Sequence, residues 1–273
     1  MVKYDASGNA LWAKTIIAGP SYSSFSAVAV VSDGSVYAAG YQSGTGSFDY
    51  GGASTPISGT TSTNPVLLKY DASGNALWAK TISASTDNAQ FQSVAVATDG
   101  SVFAAGYQSG TGSHNYGGAS APISGAATTI NPLLVKYDAS GNALWAKTII
   151  ASTDSASFSD VAVATDGSVF AAGDQSGTGS FDYGGASAPI SGTYAGGLNP
   201  LLVKYDASGS GVWAKTIIAG TDLARFNAVT VAPNNSVYAA GHQGAGSFDY
   251  GGASTPISGT ASIYNPVLVK YMR

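Results

Sequence analysis

The string Lys-Tyr-Asp-Ala-Ser-Gly begins at Lys3, Lys69, Lys136 and Lys204, at spacings of 66, 67 and 68 residues, and a shortened copy ends the chain from Lys270. Self-similarity at that period restricts the chain to a repeat architecture, in which one supersecondary unit recurs and buries its apolar faces against its neighbours. Charge follows the same period. Nine of the 11 basic residues occupy two repeat positions, Lys3, Lys69, Lys136, Lys204 and Lys270, then Lys14, Lys80, Lys147 and Lys215.

Each unit reads as four short strands. The first, Ala27 to Val30, is small, β-branched and apolar, and is matched by Val94 to Ala97, Val161 to Ala164 and Val229 to Ala232. The turns Ser32-Asp33-Gly34-Ser35, Thr98 to Ser101 and Thr165 to Ser168 follow, and Asp-Gly between two such runs signals a tight hairpin. The fourth copy has Pro233-Asn234-Asn235-Ser236, where Asn tolerates the positive φ that Gly supplies elsewhere. Val36 to Gly40 is the second strand. An excursion of about 24 residues comes next, either open loop or an extra hairpin. The third strand is Pro65 to Tyr70 and the fourth Ala76 to Ile82. Alternation places Leu77, Ala79 and Thr81 on one face and Trp78, Lys80 and Ile82 on the other. One Trp per copy (Trp12, Trp78, Trp145, Trp213) is expected to pack between adjacent units.

Composition agrees with an all-β chain. Every one of the 15 acidic residues is Asp, which favours turns, and none is Glu, which favours helices. Gly is 36 of 273, as many tight turns require. Hydrophobic residues at 44% suffice for a core, and 10% charged is far from the composition of disorder. The net charge of −4 and the lack of a basic stripe exclude a phosphate-driven nucleic-acid partner. Without Cys there is no disulfide framework, thiol nucleophile or Cys-type metal site. No apolar run reaches the ~18 residues of a membrane helix, so no membrane insertion is expected. Met1 to Asp5 already lies inside a repeat and does not read as a signal peptide, which leaves a cytoplasmic protein or a piece of a longer precursor.

Four-stranded antiparallel units of this length point to a β-propeller of four ~66-residue blades per chain, since solenoid coils are shorter. The chain is then a single repeat domain, 1–273, with units 18–83, 84–150, 151–218 and 219–273, the last closed by 1–17. The run Ala-Val-Ala … Asp-Gly-Ser-Val-Tyr-Ala-Ala-Gly … Gly-Ser-Phe-Asp-Tyr-Gly-Gly … Leu-Val-Lys-Tyr-Asp-Ala-Ser-Gly-Asn-Ala-Leu-Trp-Ala-Lys resembles the bacterial SBBP-type β-propeller repeat over essentially the whole chain. That resemblance implies blades, often on secreted or surface proteins, and carries no defined activity and no catalytic residues. It favours an extracellular or cell-surface location.

The ends leave two ways to close a ring. The last copy supplies strands one to three, and the missing fourth is available at Leu11 to Ile17. Val2-Lys3-Tyr4 duplicates Val269-Lys270-Tyr271, however, and one slot cannot hold both. A four-bladed monomer, an eight-bladed ring from two chains and a fragment of a longer array are all compatible with this arithmetic.

Candidate chemistry is sparse. Asp5, Asp71 and Asp138 open strings that resemble half a calcium loop, but a full loop needs about six oxygens and usually a Glu, so a capped turn is the simpler reading and no metal or cofactor is expected. The triplet Phe48-Asp49-Tyr50 recurs as Phe181-Asp182-Tyr183 and Phe248-Asp249-Tyr250, and copy two has His114-Asn115-Tyr116. Exposed, Tyr50, Tyr116, Tyr183 and Tyr250 beside Asp49, Asp182 and Asp249 would suit a sugar's apolar face and hydroxyls; buried, they are packing residues. The residue after Ala-Ala-Gly varies (Tyr41, Tyr107, Asp174, His242) and is followed each time by Gln. It is either ligand-facing or free to drift. His114 and His242 sit at different repeat positions and cannot form a symmetric metal ring. No Ser has a His at a motif distance. An enzyme would need a cluster that breaks the symmetry, for which His114, His242, Asp174 and Arg225 are the material. The expected function is a non-enzymatic binding module for a glycan or surface ligand. The alternative is a structural scaffold, naturally amplified or engineered, with no small-molecule site.

Overall fold

The computed structural model describes residues 1–152, 154–252 and 254–272, so the last residue of the fourth unit, Arg273, lies outside the described residues. They form antiparallel strands and turns, with no helix among the described residues. A short hairpin, β1 (Val2–Tyr4) and β2 (Ala10–Ala13), comes first. Unit one follows with β3 (Ser23–Val30), β4 (Val36–Ser43), the small hairpin β5 (Ser47–Phe48) and β6 (Ile57–Ser58), then β7 (Thr63–Tyr70) and β8 (Ala76–Thr81). The same order continues through β9 (Ala84–Ser85), β10 (Ala89–Val96), β11 (Val102–Ser109), β12 (Ser113–Asn115), β13 (Ile123–Ser124), β14 (Ile130–Tyr137) and β15 (Ala143–Lys147). Unit three comprises β16 (Ala156–Val163), β17 (Val169–Ser176), β18 (Ser180–Phe181), β19 (Ile190–Ser191), β20 (Leu198–Tyr205) and β21 (Gly211–Lys215). Unit four has β22 (Ala224–Val231), β23 (Val237–Gln243), β24 (Gly246–Phe248), β25 (Ile257–Gly259) and β26 (Asn265–Tyr271).

Three units are four-stranded sheets in chain order, β3-β4-β7-β8, β10-β11-β14-β15 and β16-β17-β20-β21. The last, β22-β23-β26, has three strands. The strand expected beside β26 is β2, and it pairs with β1 instead, with Lys3 opposite Trp12.

Local chemistry explains the geometry. Asp33 Oδ1 accepts the Ser35 N–H at 2.7 Å in the first hairpin turn, and Asp99 and Asp166 accept from Ser101 and Ser168 in the same way. In the fourth copy Asn235 takes φ 65° where the others have Gly. The first strand of each unit begins four or five residues before the apolar run that marks it, because a bulge interrupts its alternation, between Phe25 and Ala27 in unit one. Opposite that bulge lies the Gly of Ala-Ala-Gly. A Cβ on Gly40 would meet Ser24 O, so no side chain fits there. A second bulge falls between Lys69 and Tyr70, where Leu77 is left unpaired. Strict alternation along the fourth strand is therefore broken: Leu77 is exposed while Ala79 is buried.

The sheets pack face to face in chain order. Strand β10 lies against β3, β4 and β7, β16 against β10, β11 and β14, and β22 against β16, β17 and β20. Each interface is its own apolar cluster. The first contains Tyr37, Ala39 and Leu67 facing Phe91, Val94 and Leu133, and the second Phe103, Ala105 and Leu134 facing Phe158, Val161 and Leu201. The Trp residues fasten neighbouring units, as their once-per-copy spacing suggested. Trp12 packs on the turn at Gly74 and donates Nε1–H to Ala72 O at 3.2 Å; Trp78 does the same at Gly141 and Ala139.

Candidate functional site

The repeated Phe-Asp-Tyr residues lie in the excursion, whose small hairpin folds back on its own sheet. Their rings are not exposed. Tyr50, Tyr116, Tyr183 and Tyr250 are buried, and so are Phe48, Phe181 and Phe248. Each Tyr donates its hydroxyl to the buried Gln that follows the variable position, at 3.3, 2.9, 3.0 and 2.9 Å to Gln42, Gln108, Gln175 and Gln243. Burial pushes the Tyr50 hydroxyl up to about 12, and raises Tyr116 and Tyr183 well above the ordinary tyrosine value. Asp49, Asp182 and Asp249 turn the chain: each Oδ1 accepts the N–H two residues on, from Gly51, Gly184 and Gly251 at 2.7, 2.8 and 2.7 Å. Their backbones bridge to Ala18, Ala151 and Ala219. Of the two readings of the triplet, the burial of these rings fits the packed one. The excursion needs a large ring to close over its sheet, and the Gln needs a donor.

Sequence reading passed over a second anchor of the same segment. Asn64, Asn131 and Asn199 are buried, and Asn64 accepts from the Thr60 and Thr61 N–H groups while donating to Gly44 O at 3.0 Å. Its signal was available, as Asn-Pro opens every third strand.

The variable position behaves differently. Tyr41, Tyr107, Asp174 and His242 occupy equivalent places on the second strand of successive sheets, opposite Ser24, Gln90, Ser157 and Arg225 on the first strands. Because the sheets pack in order, these positions follow one another from sheet to sheet as one series. Its first half is aromatic. Exposed Tyr22 meets Tyr41 edge-on, centroids 6.3 Å apart, and half-buried Tyr107 has its hydroxyl pKa raised by burial and by Tyr41. Its second half is polar. Arg225 Nη2 reaches across the sheet interface to Asp174 Oδ1 at 3.3 Å and donates to Ser159 Oγ at 2.9 Å. Burial raises the Asp174 carboxyl above its ordinary range, against the pull of Arg225. His242 lies beside Tyr264, ring centroids 4.5 Å apart, and burial together with Arg225 lowers its pKa. Three of the four symmetry-breaking residues therefore meet. The fourth, His114, is buried in the excursion in place of Phe, with its Nδ1 3.0 Å from Gly112 O and its Nε2 unpartnered.

A related polar chain runs along the first strands. Ser93 Oγ donates to Asp160 Oδ1 at 2.5 Å, and Asp160 Oδ2 accepts the Val229 N–H at 2.8 Å, linking units two, three and four.

The Asp residues of the Lys-Tyr-Asp strings are committed to turns. Asp71 Oδ1 accepts from the Ser73 and Asn75 N–H groups and Oδ2 from the Asn75 side chain, and Asp5 and Asp138 repeat the pattern. These bonds hold the Asp71 carboxyl below its usual range. Among the described residues no group of three or more His, Cys, Asp or Glu is placed to hold a metal ion. Compared with known proteins, the chain matches no protein-family model and no curated sequence.

Proposed function

We propose that the chain is a non-catalytic β-propeller-type repeat module that binds a glycan or similar surface ligand along the row Tyr41, Tyr107, Asp174 and His242. The propeller reading is supported by antiparallel four-stranded sheets that pack in chain order, each first strand against the three inner strands of the sheet before it. The binding reading is carried by one observation. Units that keep their core side chains nearly constant change chemistry at one register position, which is partly exposed at Tyr41, Tyr107 and His242 and buried at Asp174. Tyr41 and Tyr107 offer ring faces for the apolar side of a pyranose, and the Asp174–Arg225–His242 half offers hydrogen-bonding groups for hydroxyls or an acid. A non-catalytic role is supported by the acids themselves. The Asp71 carboxyl is held below its usual range by the Asn75 donors of its own turn, and Asp174 is engaged by Ser157 and Arg225. A cell-surface or extracellular setting suits such a ligand and the SBBP-type resemblance.

The test is a glycan array spanning neutral and acidic sugars. Binding is expected to fall at least tenfold in Tyr41→Ala/Tyr107→Ala and to be unchanged in Tyr50→Phe. An array with no hits sinks the reading. The second reading, a scaffold without a small-molecule site, is favoured by the burial of the whole Tyr50 series, which makes the most regular aromatic motif structural.

A further inference from the structure

Three sheet interfaces in this chain are built from equivalent positions, and half of a fourth stands open at each end. Val94, Val161 and Val229 are at most 7% exposed against the preceding sheet, while their equivalent Val28 is 54% exposed. Leu67, Leu134 and Leu202 are fully buried against the following sheet, while Leu268 is 68% exposed. The first sheet thus lacks a predecessor and the last a successor, and the chain does not bring its own two faces together.

Hydrogen bonding leads to the same place. Strand β26 is an edge, whereas β7 and β14 each carry a fourth strand. In the complete sheets a Cβ on Gly52, Gly118 or Gly185 would strike the first residue of that strand, at Ala76, Ala143 or Gly211. A Cβ on Gly252 would meet none of the described residues within 4 Å. The slot opens into a groove of about 430 Å³ bordered by Tyr250, Gly252, Val269 and Tyr271.

At the other end β2 is a fourth strand without its sheet. Its Trp12 already packs on the next unit as Trp78 does, and its register with β1 copies that of β8 with β7: Lys3 opposite Trp12, as Lys69 is opposite Trp78. Strand β1 has three residues where β7 has eight, and exposed Tyr4 stands where Tyr70 is buried. Inward of this hairpin lies a groove of about 440 Å³ bordered by Met1, Ile16, Phe25 and Val28.

We propose that these two faces dock on each other between two copies of this chain. Strand β26 of one copy displaces the three-residue β1 of the other and takes β2 as its fourth strand, with Lys270 opposite Trp12 and Val269 opposite Ala13. Leu268 and Tyr238 then cover Val28 as Leu67 and Tyr37 cover Val94. The interface is heterologous and occurs twice, so two copies close and no sheet is left without its fourth strand. That the number is two rests on the blade reading above; the docking itself rests on the open faces.

The chain has no Cys, so Ala13→Cys/Val269→Cys places a single cross-strand pair at the proposed contact. Mild oxidation is expected to give a doubly linked dimer of about 54 kDa on a denaturing gel, twice the 27.1 kDa of one chain, and native mass is expected to agree. Leu268→Asp, at an exposed site the single chain does not need for folding, is expected to raise the dissociation constant at least a hundredfold with an unchanged far-UV spectrum. Deleting residues 1–4 removes the competitor strand and is expected to tighten pairing. A cross-link within one 27.1 kDa chain overturns docking between copies and leaves the blade reading intact. A ladder of ever larger linked species overturns the closed pair and the blade reading together. Wild type that stays monomeric at 100 μM overturns the proposal outright.

Discussion

His114 is the one polar side chain that occupies a place otherwise held by Phe48, Phe181 and Phe248, and like them it is fully buried. Its Nε2 has no partner, a defect worth about 1–3 kcal/mol in a folded interior. It stacks on Tyr116 at 11° between planes, just as Phe181 stacks on Tyr183. His114→Phe is therefore expected to stabilise the protein by about 1 kcal/mol in urea melts. The pH dependence follows from burial, which lowers the His114 pKa in the folded state. Below about 6.5 the unfolded chain takes up a proton that the folded chain resists, so stability falls as pH drops from there toward the folded-state value. In His114→Phe that segment of the stability curve is expected to flatten. At the row of variable residues, Arg225→Met leaves Asp174 buried with only Ser157 for company and is expected to cost about 1–3 kcal/mol. Asp174→Tyr/Arg225→Gln installs the Tyr107 and Gln90 of unit two at those positions and is expected to recover most of the loss. If the double variant melts no higher than Arg225→Met alone, the ion pair is not the reason for the cost.

At the scale of one sheet, Gly52 and Gly252 are the same residue in two surroundings. Both have positive φ, 64° and 67°. Only Gly52 has a strand behind it, with Ala76 O 2.4 Å from where a Cβ would stand. Gly52→Ala is expected to cost about 3 kcal/mol, from overpacking added to the left-handed backbone, and Gly252→Ala about 1 kcal/mol in dilute solution. Equal costs in chemical denaturation would mean that the fourth sheet is already complete. Much of the element pattern was legible because its determinants are local: Asp33-Gly34 makes a turn from its own side chain and its own φ, and short β-branched apolar runs on either side of such a turn make a hairpin. The small hairpins were not, since two-residue strands such as β5 hold their shape through remote groups, the Asp49 bridge to Ala18 and the hydroxyl of Tyr50 on Gln42. Periodicity could not separate a packed Tyr from a displayed one for the same reason: a ring repeated for the core and a ring repeated for a ligand recur alike. Variation could be read at Tyr41, Tyr107, Asp174 and His242, but the Arg225–Asp174 pair crosses two sheets and exists only once they are packed.

Across the whole molecule, nearest-neighbour stacking makes stability a sum of sheet and interface terms. The two middle sheets each have neighbours on both sides, while the first and last each have one whole face without a full partner. Amide exchange is accordingly expected to be slowest in β11, β14, β17 and β20 and faster in β3 and β26. An isolated chain keeps that gradient at every concentration, because its outer faces stay wet. Two copies docked through Val28 and Leu268 do not: partner binding stabilises only the end sheets, by an amount that grows with the logarithm of chain concentration. Exchange in β3 and β26 is expected to slow at least tenfold between 1 and 100 μM while β11 and β17 stay constant. Leu268→Asp is expected to remove that dependence and leave the gradient. If β3 and β26 are as protected as the centre at 1 μM in Leu268→Asp as well, each chain has already joined its own ends, and the open faces belong to no second copy.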